Sequence, residues 1–495
     1  MICRADTVGV FQIESRAQMS MLPRLKPRCF YDLVVEVAIV RPGPIHGKMV
    51  HPYLRRRNGE EPVTYPTPSV KQVLEKTLGV PLFQEQAMRL AIVAAGFTPD
   101  EADRLRRAIA AWKSRKDAVM DFGDKLIQGM IERGCPREFA ERCFEQIKGF
   151  SEYGFPESHA ASFAYLVYVS AWLKCHYPAA FAAALINSQP MGFYAPAQII
   201  RDVQEHGVEV RPVDVNCSRW DCELESDPEK SGATPKNPGR SRKIRDRLCD
   251  EGEVGAVLRL GMRLVKGLRQ EEAERIVEAV GHDGPFVCVE ALWRTSGVWA
   301  STLKILAGAD AFASMGLDRQ AALWQVRNLH DEDLPIFDQA EAARQTPVAL
   351  PAIPEPRKVV QDYATLGLSL KAHPLSFARA KLKQMGVRAA IELRDESQCP
   401  HGCRVGVAGI VLVRQRPGTA SGIIFMTLED ETAVANLIVR PHIFECYRRA
   451  ARHGIAIVAR GQVERKDMVV HIMVNRIDDI SGEIAALTSG SRDFH

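Results

Sequence analysis

The chain has 495 residues, 46% of them hydrophobic, with 65 Lys plus Arg against 61 Asp plus Glu and a net charge of +4. That length predicts about three domains with ordinary apolar cores. So small an excess excludes a uniformly basic or acidic protein, and any polyanionic partner must be met by local clusters.

Met1 to Val10 carries no apolar h-region, so no secretory leader is expected. Val8 to Ile13 is a short apolar run, read as a strand or a helix start. Leu33 to Val40 is apolar and stops at Arg41-Pro42-Gly43-Pro44, where two prolines around a glycine fix a turn. A guanidinium held beside a rigid turn suits bidentate phosphate contact, or it satisfies nearby carbonyls; the residue types leave both open. Arg55-Arg56-Arg57-Asn58-Gly59 reads as a solvated basic loop. Pro81 to Ala95 is helical and closes at Gly96.

Thr98, Pro99 and Glu101 then form a capping box that starts a helix running to Lys116. Arg104, Arg107, Ala111 and Arg115 recur at steps of three and four on one face, with Arg106, Ala110 and Lys113 beside them. Small alanines among the cations let a triphosphate or a nucleic-acid backbone approach. Taken alone, a basic helix is only a solvated surface. Pro136 to Lys148 is an amphipathic helix. The glycine- and aromatic-rich loop Gly149 to Ser162 offers Phe150, Tyr153 and Phe155 for stacking on a base or sugar. His159 can donate to a phosphate or fill a structural role. Ala160 to Leu173 is the longest apolar stretch, too short to span a bilayer, and is expected as a buried helix. Pro178 starts another helix through Asn187.

Glu223 to Val254 is polar and rich in Pro, Gly and charge, the composition of a mobile insertion or linker. Leu260 to Val280 reads as a short element, a turn at Lys266-Gly267 and a helix. Leu303 to Gln320 repeats this around Gly308. Helix pairs with a glycine in each hairpin are similar to helix-hairpin-helix units, whose backbone amides hold DNA phosphates without reading sequence. A second linker spans Thr346 to Pro356. Cys399-Pro400-His401-Gly402-Cys403 is the one close cysteine group among twelve, and it lacks the fourth ligand and second Cys pair of a zinc site, so no metal site is expected. The other cysteines are scattered, and Cys175 and Cys288 fall in apolar runs, as reduced thiols of a cytoplasmic protein do. From Arg404 the period changes: five strands with a helix after the third predict an OB-fold barrel. Arg414, Arg416, Arg460 and Phe425 are its candidate ligand-facing groups.

In order, ADTVGVFQIESRAQM, VAIVRPGPIHG, LGVPLFQEQAM, EADRLRRAIA, FPESHAASFAYLVYVSAWLKCHYPAAF and NSQPMGFYAPAQII resemble the fingers region of bacterial C-family DNA polymerases, the error-prone branch related to the replicative alpha subunit. LGLSLKAHPLSF, the barrel strands and the terminal SRDFH resemble that branch too. The resemblance implies an α+β multidomain chain of mainly helical fingers, helix-hairpin-helix units and a C-terminal OB-fold. By residue it implies fingers over 1–222, a flexible linker or insertion over 223–255, tandem helix-hairpin-helix units over 256–345, a linker with connecting helices over 346–402, the OB-fold over 403–482 and a tail over 483–495.

The chemistry implied is template-directed dNTP incorporation, with damage-associated translesion synthesis. The primer 3′-hydroxyl attacks the α-phosphate while two Mg²⁺ ions, held by carboxylates, stabilise the attacking and leaving oxygens. Carried over by motif, Arg41, Arg104, Arg107, Lys113, Tyr153 and His159 would contact the nucleotide. Lys266, Gly267, Gly308, Arg414, Phe425 and Arg460 would contact DNA. The family's metal-binding carboxylates lie in a P-D-x-D-x-D-like motif that this sequence does not contain, so no catalytic residue is expected here and the chain alone is expected to be inactive. It would correspond to the C-terminal portion of such a polymerase; the alternative is a non-catalytic DNA-binding remnant, or a chain left with an apolar face exposed. Implied partners are primer-template and single-stranded DNA, dNTP, the sliding clamp and an accessory protein similar to Y-family polymerases. No Gln-x-x-Leu/Met-Phe clamp peptide stands between the hairpins and the barrel, and no membrane partner is expected.

Overall fold

The computed structural model describes residues 1–41, 44, 49–110, 116–148, 155–190, 194–226, 256–329, 350–417, 420, 422–466, 469–484 and 492–494. They fall into two compact units, Met1–Cys175 and His176–His495.

The first unit is helical: α1 (Arg16–Leu25), α2 (Phe30–Ile39), α3 (Val50–Arg57), α4 (Pro68–Leu74), α5 (Gln84–Val93), α6 (Pro99–Ala110), α7 (Lys116–Glu132), α8 (Arg137–Lys148) and α9 (Glu157–His176). The apolar run before Arg41 becomes α2, buried from Asp32 through Ile39. A helix buried on every side has to sit at the centre of its unit. Asp32 holds its start, accepting the amides of Arg28 (2.6 Å) and Cys29 (3.1 Å) and both prongs of the Arg57 guanidinium (2.6 and 2.7 Å). The run Arg55–Arg57 is therefore no solvated loop. It ends α3, where Arg57 also donates to Leu25 O, and Arg56 bridges Glu61 and Leu78 O.

Val8 to Ile13 forms neither strand nor helix start but a pair of turns, closed by Thr7 Oγ1 donating to Ile13 O at 2.8 Å. The capping box at Thr98 forms as read: Thr98 Oγ1 accepts the Glu101 amide, and Glu101 accepts the Thr98 amide. α6 is described as far as Ala110 and α7 from Lys116, and residues 111–115, within the expected helix, lie outside the described residues.

The expectation for Ala160 to Leu173 needs correction. The helix exists, but only Ala160, Ala164, Val167, Ala171 and Lys174 are buried. These small residues form a narrow inward seam, while Tyr165, Leu166, Tyr168, Val169, Trp172 and Leu173 face outward.

The second unit combines a helical part and a barrel. α10 (Pro178–Asn187) and α11 (Pro196–Glu205) precede a small sheet of β1 (Val210–Arg211), β2 (Glu223–Ser226) and β3 (Ala256–Arg259), in the order β1-β3-β2. β2 and β3 pair antiparallel, so the start of the expected linker, Glu223–Ser226, is a strand; 227–255 lies outside the described residues. Then come α12 (Gln270–Asp283), α13 (Val289–Ser296), α14 (Ala300–Gly308), α15 (Arg319–Val326) and α16 (Glu355–Thr365). One apolar core, including Ile186, Leu258, Met262, Leu303 and Phe312, unites the sheet and helices. In the first expected helix pair, the leading element is a single 3-10 turn, Met262–Leu264.

α17 (Arg379–Gln384) and β4 (Val387–Arg388) lead into the barrel: β5 (Arg404–Gln415), β6 (Ile424–Glu429), β7 (Val434–Val439), short helices α18 (Pro441–Cys446) and α19 (Arg448–His453), β8 (Ala456–Lys466) and β9 (Val469–Asp479). β5 pairs with β6 and β8, β6 with β7, β7 with β9 in parallel, and β9 with β8, which closes five strands on themselves. This is the OB-fold connectivity expected, with the helix after the third strand. Two short strands were not anticipated. β4 and β10 (Arg492–Phe494) each add in parallel to β5.

Candidate nucleic-acid interface

In the first unit, two expected site residues share one aromatic row. The Arg41 guanidinium lies over the Phe155 ring, 4.7 Å from its centroid, while its Nε donates to Val37 O. Phe155 meets His159 at 5.0 Å, His159 meets Phe163 at 4.1 Å, and Phe163 meets Phe11 edge-on at 5.2 Å. His159 is exposed in the first turn of α9, at the positive end of a 20-residue helix. Glu85 already accepts the Glu157 amide there, and Glu157 accepts from Tyr31, so an anion would have to displace carboxylates. Phe11 and Phe163 belong to this row and were not named from sequence, because only the fold joins residues so far apart.

Arg104 and Arg107 stand exposed on α6. The strip is less cationic than the sequence suggests, since Asp103 pairs with both Arg106 (2.9 Å) and Arg107 (2.8 Å). Lys113 and Tyr153 lie outside the described residues.

In the second unit Lys266 is exposed and tied to a neighbouring helix. Its Nζ donates to Tyr363 O and Ala364 O, and its amide to Thr365 O, which caps the C-terminal carbonyls of α16. Gly267 follows at φ +85° and is exposed just before α12. Among the described residues, the amides of Gly267 and Arg269 have no acceptor, beside the unsatisfied first-turn amides of α12. Together they leave a run of N–H donors at a helix start without acceptors, groups of the kind that can hold a phosphate. Gly308 differs from its reading. It is the last residue of α14, and the left-handed residue of the following turn is Asp310, at φ +63°. The amides of Ala309, Asp310 and Ala311 all bond within that turn.

On the barrel, Arg414 donates to Ala451 O at 2.8 Å and to Gly454 O, fastening the end of α19. Arg460 reaches Met385 O at 3.3 Å and lies 3.9 Å from Asp478. Both arginines hold structure. Phe425 lies on the outer side of β6, opposite Ile438, with Thr427 and Asn436 opposite each other two residues along. These four are half-buried and alternate with the buried inward residues Ile424, Met426, Leu437 and Val439. They make an uncharged platform suited to stacking bases. Arg416, named from the sequence, is exposed after β5; Arg440, Arg448, Arg449 and Arg452 are exposed too, on a loop and on α19, where alternation within strands could not point to them.

Within the second unit, salt bridges fix the helical part to the barrel. Arg201 on α11 donates to Glu429 (2.5 Å) and Asp430 O (2.6 Å), and Arg379 pairs with Asp430 (2.8 Å) and Glu431. Burial raises the Asp430 carboxyl, but hydrogen bonds from Thr432, Ala390 and Ala433 outweigh it and leave it below the usual range. A cavity of about 300 Å³ lies at this junction, lined by Arg201, Tyr363, Lys371, His373, Glu429 and Glu431. Burial, with Arg201 nearby, pushes the His373 imidazole down to about 4, so it is neutral.

Among the described residues, neither unit by itself brings three His, Cys, Asp or Glu side chains to one point. Three acidic groups of the first unit are paired or shifted: Asp6 pairs with Lys174 at 3.1 Å, and burial raises Glu14 to about 7 and Glu36 well above its ordinary value.

Residues 1–134 match the finger domain of the bacterial DNA polymerase III alpha subunit, and residues 207–322 match a helix-hairpin-helix motif. The whole chain is 53% identical over 506 residues to an error-prone DNA polymerase of Sinorhizobium medicae, covering 44% of that protein. It is 52% identical over 495 residues to one of Alkalilimnicola ehrlichii, covering 45% of it. For one of Rhodopseudomonas palustris the identity is 50% over 521 residues, 99% of this chain and 41% of the relative. The chain thus spans less than half the length of these relatives.

Proposed function

Because the chain belongs to the bacterial error-prone DNA polymerases related to the polymerase III alpha subunit, we propose that it is a DNA- and nucleotide-holding portion of such an enzyme. The observation that carries this reading is the identity of 53% along its entire length to a protein named error-prone DNA polymerase, of which it spans 44%. Template-directed dNTP incorporation, in the setting of damaged DNA, is the activity of the complete polypeptide. Mg²⁺ would be held by the carboxylates of a P-D-x-D-x-D-like motif, which this sequence does not contain.

Each surface then has a task. The amides around Gly267 and the start of α12 hold a backbone phosphate of primer-template. The outer platform of Phe425 and Ile438 stacks single-stranded template, with Arg416 and the α19 arginines meeting its phosphates. The salt bridges of Arg201 and Arg379 keep these two surfaces in fixed register. In the first unit, Arg41, Arg104, Arg107 and His159 would meet the triphosphate. A sliding clamp and a Y-family-like accessory protein remain the partners proposed for the complete enzyme.

The experiment is primer extension beside DNA binding. Pure chain, given primer-template, dNTPs and Mg²⁺, should bind DNA by fluorescence anisotropy and add no nucleotide. Measurable extension would sink the assignment of the metal centre to other polypeptide; no binding to either DNA form would sink the DNA-holding role.

A further inference from the structure

We propose that the outward face of α9 is the seat of the polypeptide that the error-prone polymerases carry and this chain does not match. The inference rests on the polymerase reading above. It adds where the two parts join.

α9 inverts the usual distribution of side chains. A helix at a protein surface turns its large apolar residues inward and its charges outward. Here alanines and one valine face inward, while Tyr165 is 62% exposed, Tyr168 52%, Leu166 47% and Trp172 43%, with Val169 and Leu173 beside them. Positions 165, 166, 169, 172 and 173 follow the three-four spacing of one helix face. Polar groups do not offset this. Ser162 and Ser170 donate to the carbonyls of Ser158 and Leu166 within the helix. The one charged side chain between Ser158 and His176 is Lys174, which is 1% exposed and bound to Asp6 and Val8 O. A strip of six large apolar residues without a cation or carboxylate is too apolar to be left to water.

Coverage of the relatives indicates the occupant. They match this chain throughout at 50–53% identity, yet more than half of each lies outside the match. A second element that fits must be apolar at its centre, because a charge set against this strip would lose its hydration without gaining a partner. At its rim it should offer acceptors to the Tyr165 and Tyr168 hydroxyls. No helix among the described residues is long and apolar enough to cross a membrane.

The test compares labelling at one position in two contexts. Tyr165→Cys is introduced into the 495-residue chain, and into the complete Sinorhizobium medicae polymerase with its matching region replaced by this chain. Maleimide modification of position 165 is followed by mass spectrometry. Labelling should be fast in the free chain and at least tenfold slower in the complete polypeptide. Equal rates overturn the proposal. So does slowing that appears in the chain alone as its concentration rises, which would make the occupant a second copy. Slowing on addition of phosphatidylglycerol vesicles to the chain alone would make it a lipid surface and overturns it equally.

Should the hybrid not fold, hydroxyl-radical footprinting of the unaltered Sinorhizobium medicae polymerase gives an independent readout. The segment aligned with α9 should be oxidised at least tenfold more slowly than α9 in the free chain, and equal oxidation overturns the proposal. DNA affinity is measured separately. Protection at position 165 without DNA binding would therefore remove the DNA-holding role and leave the docking face standing.

Discussion

Gly267 and Gly308 look alike in the sequence, one glycine for each hairpin, but their backbones differ. Only Gly267 has a positive φ, +85°, where an L side chain is strained by roughly 1 kcal/mol. Gly308 is helical, and an added Cβ would meet Thr365 Cγ2 at an ordinary 3.8 Å. Gly267→Ala should lower the thermal midpoint by a few degrees and weaken DNA binding, while Gly308→Ala should leave binding unchanged and hold or raise the midpoint. Equal effects on binding would remove Gly267 from the phosphate site. Glu36 makes a second residue-scale case. It is fully buried in α2, and neither carboxyl oxygen has a hydrogen-bond partner among the described residues. Burial raises its pKa in the folded state, so the native protein keeps a proton that the unfolded chain releases above about 4.5. Its contribution to stability is therefore complete below 4.5 and is lost as pH rises toward the folded value. Glu14 acts in the same direction, over a window that closes at about 7. Glu36→Gln should keep a higher urea midpoint than the parent at pH 8 and show a flatter dependence on pH between 5 and 9. A lower midpoint at pH 8 would mean that the carboxylate has a partner.

At the scale of elements, α15 and α16 are joined by a buried ion pair. Arg319 and Asp362 are in contact with both side chains about 5% exposed, and Asp362 also accepts from Ser369 at 2.7 Å. Removing one partner strands a buried charge and costs roughly 3–5 kcal/mol, whereas an apolar pair of similar volume costs far less. Asp362→Leu should therefore reduce the urea midpoint sharply and Arg319→Leu with Asp362→Leu should recover most of the loss; additive losses would refute the buried-charge account. This pair also marks what could be read in advance. The capping box at Thr98 was legible because its three residues are neighbours, and the five barrel strands because short apolar runs recur between turns, although burial alternates along β6 and β7 and not along β5. Arg319 and Asp362 stand 43 residues apart, and nothing in either segment announces the other. The same holds for β4 and β10, two or three residues that pair only because β5 offers an edge. α9 shows a different limit. An apolar helix without a polar side gives no sign of which face turns inward, so its length could be read and its orientation could not. Among candidate site residues, Arg414 and Arg460 have the right charge, but a long side chain on a strand turns to whichever carbonyl the fold brings near.

On the scale of the whole chain, the net charge of +4 is too small to bind DNA by a diffuse field, so affinity must come from a few local contacts. Those proposed for the second unit are the amides at the start of α12 and, on the barrel domain, the exposed arginines Arg416, Arg440, Arg448, Arg449 and Arg452. Neutral amides release few counterions; guanidinium groups release about one for each phosphate met. If about four arginines engage single-stranded DNA, the slope of log affinity against log salt should be about −3, a loss of roughly 50-fold between 50 and 200 mM. Arg449→Ala with Arg452→Ala should make that slope shallower by more than one unit. Phe425→Ala should weaken binding by roughly 1–3 kcal/mol while leaving the slope alone, because stacking displaces no ions. These two signatures separate phosphate contact from base stacking within one titration series. A slope unchanged by the double substitution would place the DNA path elsewhere. A slope altered by Phe425→Ala would mean that the platform positions the arginines instead of holding bases.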